Sequence, residues 1–278
     1  MVNGSLAPEI TAERLLETRL AFDSVADDYD GPRGNNALIQ TIRRAMWKTV
    51  VETFTAGSRL CDLGCGTGLD AAYLAKRGFR VLALDWSPEM IHRTCALILE
   101  AGLQERITAK RLGIHELDAL EDTPFDGMYS NLGAVNCVPD LAPVARACAR
   151  HLRPGGRLIF SVIGRYCPWE IGYYLLTGHP ARAFIRMRRG AVRVGLNGGA
   201  VWTRYYTPRE FYLPFEEAFE LTQYRSLRLF SPPPYLIGIR NTTPRLFRAL
   251  ERLGERLGDR PVFRNAGDHF LIILTKRA

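Results

Sequence analysis

Five short apolar runs, near 58–63, 80–85, 106–111, 125–130 and 156–163, alternate along the chain with stretches whose apolar residues recur at helical spacing. Runs of this length read as buried strands, and regular alternation of strand and helix predicts a parallel, doubly wound sheet. Ahead of the first run, residues 9–30 read as a helix with Ile10, Leu15, Leu16, Leu20 and Phe22 in rough helical register. A second helix, from about Asn36 to Thr53, turns Leu38, Ile42, Met46 and Val50 to one side. Phe219 to Phe230 and Phe270 to Thr275 supply a sixth and a seventh strand, the last expected to run antiparallel. The expected fold class is therefore α/β, a seven-stranded, mostly parallel sheet with helices on both faces.

Two segments break this pattern. Arg165 to Tyr206 mixes Trp169, Tyr173, Tyr174, Phe184, Trp202, Tyr205 and Tyr206 with many arginines, and is too aromatic for a solvent loop. It reads as a helical cap inserted after the fifth strand, and a Pro-rich, basic segment after the sixth strand forms a second insertion. The expected division is a core with an N-terminal helical lid (1–164), a cap (165–206), a return to the core (207–230), the second insertion (231–262) and the last core strand (263–278).

The first strand, Arg59-Leu-Cys-Asp-Leu63, runs into a turn with glycine at 64, 66 and 68 and then into a helix. Glycine lets backbone adopt positive φ or approach a ligand closely. A strand, a glycine turn and a helix N-terminus together make a nucleotide-type site. Asp62 precedes the turn and is placed to face an ammonium group. Asp85 ends the second strand about 20 residues on, where a ribose-binding carboxylate belongs. A dinucleotide loop is the alternative, but it asks for two residues between its last two glycines, and here Leu69 follows Gly68.

With Asp62-Leu-Gly-Cys-Gly-Thr-Gly68 and Asp85 in place, the chain resembles the class I S-adenosylmethionine-dependent methyltransferases, in particular the type 11, ubiquinone-biosynthesis-like branch. The resemblance implies a Rossmann-like core, S-adenosyl-L-methionine as cofactor and S-adenosyl-L-homocysteine as product. It runs from about 20 to 163 and fades in the cap. It implies cofactor contacts from Asp62, Gly64, Cys65, Gly66, Gly68 and Asp85, with Trp86 and Met90 lining the adenine–ribose pocket. Phe22-Asp-x-x-Ala-x-x-Tyr-Asp30 resembles the family's closing segment, which makes Tyr29 and Arg33 candidates to cover the methionine end. The family's usual adenine-binding acid is missing after the third strand, so Ile114 or His115 takes that contact. Asn131, Leu132 and Gly133 follow the fourth strand, at the carboxyl edge where ligands of open sheets bind. The absence of an Asn-Pro-Pro-Tyr-type motif there counts against methylation of nucleic-acid bases.

Composition narrows the setting. An apolar fraction of 47% and a charged fraction of 24% are those of a globular chain, and no apolar run is long enough to span a bilayer. No signal-peptide pattern opens the chain, and a cytoplasmic protein is expected. The six cysteines are scattered without a C-x-x-C pair, so no metal site is expected. A net charge of +8 favours an anionic substrate, a membrane surface or nucleic acid as partner. Arg182, Arg186, Arg188, Arg189 and Arg193 crowd the cap, and Arg245, Arg248, Arg252 and Arg256 recur on one helical face. Each group reads either as a solvated face or as a surface for a lipid-like substrate, with peripheral membrane contact favoured over RNA.

Methyl transfer from a sulfonium is an in-line displacement from an activated donor. Alignment, worth roughly 7–11 kcal/mol, should outweigh a general base worth about 10²–10⁴ in rate. If a base takes part, His179, Tyr205 and Tyr206 in the cap are the candidates. The expected substrate is a small hydrophobic or aromatic metabolite; the alternatives are an RNA methyltransferase and a non-catalytic cofactor-binding scaffold.

Overall fold

A computed structural model of the chain describes residues 10–277 except Arg33 and 122–123. The candidate Arg33 and the opening residues of the expected lid thus lie outside the described residues. Strands β1 (Arg59–Leu63), β2 (Arg80–Asp85), β3 (Ile107–Arg111), β4 (Phe125–Ser130) and β5 (Leu152–Ile163) are parallel. A hairpin, β6 (Ala191–Leu196) and β7 (Gly199–Arg204), stands apart as a two-stranded sheet. The main sheet is completed by β8 (Phe219–Leu227) and β9 (His269–Lys276), giving the order β3-β2-β1-β4-β5-β9-β8 with β9 antiparallel to both neighbours. Seven mostly parallel strands stand as read from the apolar runs.

The central strands are apolar on both faces because both faces are covered. Cys61, Leu63, Leu82 and Leu84 belong to one buried cluster, whereas Leu60, Val81 and Ala83 belong to another across the sheet. Helices α1 (Ala12–Asp23), α2 (Ala37–Thr53), α3 (Leu69–Ala75), α4 (Pro88–Glu100) and α5 (Leu141–His151) fill the first half of the chain. The caps are local: Thr11 starts α1, Asn36 accepts from the Leu38 and Ile39 N–H groups, and Ser87 caps α4 with Pro88 in its first turn. The helix expected over 9–30 is shorter, since α1 ends at Asp23 and a single 3₁₀ turn, Ala26–Asp28, carries the chain on.

The cap differs from the expected helical one. It opens with α6 (Pro168–Leu176) and α7 (Pro180–Ala183), but its second half is the β6–β7 hairpin. Val192, Val194, Val201 and Thr203 are β-branched and flank Asn197-Gly198, which take φ of 46° and 82°. Positive φ at both turn residues is the geometry that an Asn-Gly hairpin turn demands. After α8 (Pro208–Tyr212), with its Thr207–Glu210 capping box, and β8, the second insertion forms α9 (Ile237–Thr242) and α10 (Pro244–Leu257).

Hairpin and N-terminal helix form one unit. The Trp202 backbone N–H donates to Thr18 Oγ1 at 3.0 Å, its indole N–H donates to Glu17 at 2.7 Å, and the Arg14 guanidinium lies 4.0 Å from the indole centroid. At the other end of α1, Ser87 donates to Asp23 at 2.5 Å, tying the helix to the start of α4.

Candidate active site

Beneath this unit, at the carboxyl edge of β1, β2 and β4, lies a cavity of about 410 Å³. Its floor is the turn after β1. Gly64 and Gly66 hold φ of 79° and 56°, and the Gly64 and Cys65 N–H groups donate to Leu84 O at 2.8 Å. A Cβ on Gly64 would stand 2.5 Å from the Ala134 Cβ, so only glycine fits there. Gly68, at φ 85°, packs toward Thr94 and does not border the cavity.

Asp85 sits at the rim. One of its oxygens accepts from the Gly66 N–H and the other from the Ser87 N–H, both at 2.9 Å. Each carboxylate oxygen keeps lone-pair capacity, which suits a diol. Burial pushes its carboxyl up to about 6, with the Ser87 and Gly66 N–H groups opposing. Trp86, Met90, Leu112, Ile114 and His115 extend the wall beyond Asp85 as an apolar slot. His115 meets Trp86 edge-on at 4.8 Å, and burial lowers its pKa, so the ring is neutral near pH 7.

The opposite end carries charge. Asp70, in the first turn of α3, is bonded to Arg43 at 2.9 Å, to the Trp47 indole at 2.6 Å and to Asn131 Nδ2 at 3.0 Å. Arg43 and Asp70 both border the cavity, as does Tyr29, whose buried phenol is pushed up to about 12 and stays neutral. Asn131 also accepts from the Leu132 N–H, and Leu132 and Gly133 take φ of 54° and 79° in a tight turn that brings backbone to the wall. The cap side is mostly apolar, with Phe22, Cys137, Ile163, Val194, Leu196 and Val201, and takes Thr18, Arg19 and Thr203 as its polar members.

Most of the sequence-read cofactor positions meet here: Tyr29, Gly64, Cys65, Gly66, Asp85, Trp86, Met90, Ile114, His115, Asn131, Leu132 and Gly133 all border one cavity. Asp62 does not. It lies under the turn, 1% exposed, and burial followed by the Asp70 charge pushes its carboxyl well above the usual range. The acid that faces the cavity at this end is Asp70.

None of the three base candidates borders the cavity. His179 is exposed at the start of α7 and faces Thr177. Tyr205 is buried against the Arg186 guanidinium, and Tyr206 packs in the core on Phe211. Arg186 is also not part of a solvated face: it is buried between Glu170 and Asp268. Sequence reading missed Arg43, although a cation beside Ile42 and Met46 on an apolar helix face was a signal. It also missed the hairpin's contribution, for which Asn197-Gly198 was the cue.

The donor set fits S-adenosylmethionine: a carboxylate for a ribose diol, an apolar slot for adenine, and an anion–cation pair for an amino-acid zwitterion, around a floor that a Cβ would fill.

Comparison with known proteins agrees with the geometry. Residues 61–160 match the type 11 family described as "Methyltransferase domain". The chain is 39% identical over 110 residues to the ubiquinone biosynthesis O-methyltransferase of Xylella fastidiosa strain 9a5c, covering 40% of this chain and 44% of that one. It is 33% identical over 138 residues to the enzyme of the same name from Xanthomonas euvesicatoria pv. vesicatoria, covering 50% and 56%. The chain thus aligns with about half the length of these curated relatives. Among solved structures, an S-adenosylmethionine-dependent methyltransferase from Mesorhizobium loti superposes with a TM-score of 0.52 at 24% identity, over 84% of this chain and 98% of that one. The 4+2 cyclase SpnF superposes with a TM-score of 0.64 at 15% identity over 98% of each chain. At these identities the structural likeness speaks for the fold alone. The matched segment spans β1 to β5 and includes the glycine floor and Asp85. This segment, the core from β1 to β5, is similar to the methyltransferase domain of S-adenosylmethionine-dependent enzymes.

Proposed function

We propose that the chain transfers a methyl group from S-adenosylmethionine to a small hydrophobic or aromatic acceptor held under the hairpin. The observation that carries this reading is the polarity of one cavity, charged and hydrogen-bonding around the glycine floor and mostly apolar on the cap side. Asp85 would take the ribose, Trp86, Met90 and Ile114 the adenine, and Arg43 with Asp70 the amino-acid end. When bound, the cofactor supplies a methyl group already activated on a sulfonium.

The chain's residues then have two tasks. The Asn131-Leu132-Gly133 turn and Tyr29 fix the donor's orientation, while Phe22, Val194, Leu196 and Val201 exclude water and press an apolar acceptor toward it. Preorganisation of this kind supplies the larger part of the rate in a displacement from an activated donor. Cys137 is the acidic group on the cap-side wall, and burial raises its thiol to about 12, which keeps it neutral and unsuited to proton removal. The printed activity of the curated relatives, O-methylation in ubiquinone biosynthesis, belongs to the same class of small-molecule acceptor.

The test is incubation with radiolabelled S-adenosylmethionine and cell extract, followed by separation of organic-soluble, aqueous, RNA and protein fractions. Label in the organic-soluble fraction is the expected result. Label confined to RNA or protein would overturn the acceptor class, and cofactor binding without labelling of any fraction would leave a scaffold.

A further inference from the structure

The helix α10 has two dissimilar faces. Phe247 and Gly254 turn inward, and a Cβ on Gly254 would meet Leu229 and Phe230 of the core-side loop. On the opposite side Arg245, Arg248, Arg252 and Arg256 form one exposed stripe. Among the described residues none of the four makes an ion pair with a carboxylate. Glu251 on the same helix turns away to Arg240 at 3.0 Å, which leaves Glu255 at the edge of the stripe. A solvated helix face interleaves charges of both signs to gain from pairs three and four apart; this one sets like charges side by side.

The stripe is bordered by large apolar side chains in water. Leu246 and Leu253 lie along its flank, and Val262 just beyond the helix is 81% exposed. Before the helix, the exposed Tyr235 lies near Glu170 and Tyr174, so the second insertion abuts α6. That helix ends in Leu176, which is 90% exposed. Cations and aliphatic side chains therefore occur together on two insertions that touch.

We propose that this face docks on an anionic phospholipid bilayer, with the arginine stripe on headgroup phosphates and the leucines, Val262 and Tyr235 at the headgroup–acyl boundary. Basic side chains gain electrostatically near an anionic leaflet, and exposed aliphatic residues gain by burial in it. A nucleic-acid phosphate backbone uses the cations equally well but asks for stacking rings or a groove-reading element in place of leucines. No described helix is long and apolar enough to cross a membrane, so the contact is peripheral. The proposal stands apart from the methyltransferase reading, because none of these side chains borders the cofactor cavity.

Flotation of the full chain with phosphatidylcholine vesicles, with and without phosphatidylglycerol, tests it. Binding is expected only on the mixed vesicles and should weaken with salt. Replacing the four arginines by glutamine should lower partitioning about fivefold per residue, several hundred-fold in all. A second variant, Leu253→Ser with Val262→Ser, should weaken binding that persists at higher salt. Calorimetric binding of S-adenosylhomocysteine should be unchanged in both, which keeps the cofactor site separate from this face. Equal binding to both vesicle types, no binding at low salt, or unchanged partitioning of the four-arginine variant would each overturn the proposal. So would displacement of the vesicles by RNA, which would assign the stripe to nucleic acid.

Discussion

At the scale of single residues, Asp85 makes the sharpest prediction because one carboxyl serves both folding and binding. In the free protein burial raises it to about 6 from an ordinary 3.8. Its contribution to stability is then fullest below the unfolded value and is lost as pH rises through about 6. A ribose diol donates to the ionised form and so favours it. Titration calorimetry of S-adenosylhomocysteine from pH 5 to 8 should therefore show affinity rising about tenfold per unit up to about 6, then a plateau, with proton release on binding below it. Affinity independent of pH across this range would remove Asp85 from the ribose. Asp85→Asn should weaken binding at least tenfold, because an amide has one acceptor for two buried N–H donors, from Gly66 and Ser87. Gly64→Ala faces a different obstacle, a Cβ 2.5 Å from that of Ala134 at φ 79°, and is expected to cost about 1–3 kcal/mol in urea unfolding as well as cofactor binding.

Among the elements, the α1–hairpin unit covers the cavity. Trp202 joins the two through Thr18 and Glu17, while Asn136 holds the hairpin's far end by donating to Arg204 O at 2.7 Å and accepting from the Ile163 N–H at 2.9 Å. Loosening the first link without disturbing the second should free the lid but keep the hairpin. Trp202→Phe removes the indole N–H and is expected to speed release of S-adenosylhomocysteine several-fold, measured by stopped-flow fluorescence, with little change in melting temperature. An equal fall in stability would mean that the contact holds the fold and not the lid. This unit also marks where sequence reading stopped. The strand–turn–acid core was legible because each part has a local cause: apolar runs for doubly covered strands, glycines where φ is positive, an acid at a strand end. The α1–hairpin unit was not, since its partners are some 185 residues apart and a Val-rich hairpin among arginines and aromatic residues has no local pattern that separates it from a helical insertion. Asp70 shows the same limit inside the motif. It lies eight positions after Asp62, yet only the fold reveals that Asp70 meets the cavity while Asp62 lies beneath the turn.

For the molecule as a whole, the cap is fastened to the sheet by a buried cluster of charges. Arg186 donates to both Glu170 oxygens, to Asp268 at 2.8 Å and to Gly164 O at 3.2 Å, while Arg228 reaches the other Asp268 oxygen at 3.6 Å. Cys167 lies beside these carboxylates, but the guanidinium occupies the space between them that a metal ion would need. Two arginines and two carboxylates balance. Removing one carboxylate leaves an uncompensated buried cation, so Glu170→Gln should cost about 3–5 kcal/mol, roughly 10 °C in melting temperature. Replacing Glu170 and Arg186 together by methionine should recover much of that loss, because apolar residues remove the charge and its desolvation at once. Acid gives an independent check of opposite sign to Asp85. Burial alone would raise the Asp268 carboxyl, yet His269, Arg186 and Arg228 together hold it well below the ordinary range. A depressed carboxyl contributes stability that is present above its unfolded value and lost as pH falls through the folded one. Urea unfolding of an Asp85→Asn background, in which the Asp85 contribution is silenced, should therefore show stability falling steeply below about pH 4, with a single transition throughout. A cap that melts separately at neutral pH would show that these charges do not bind it to the sheet.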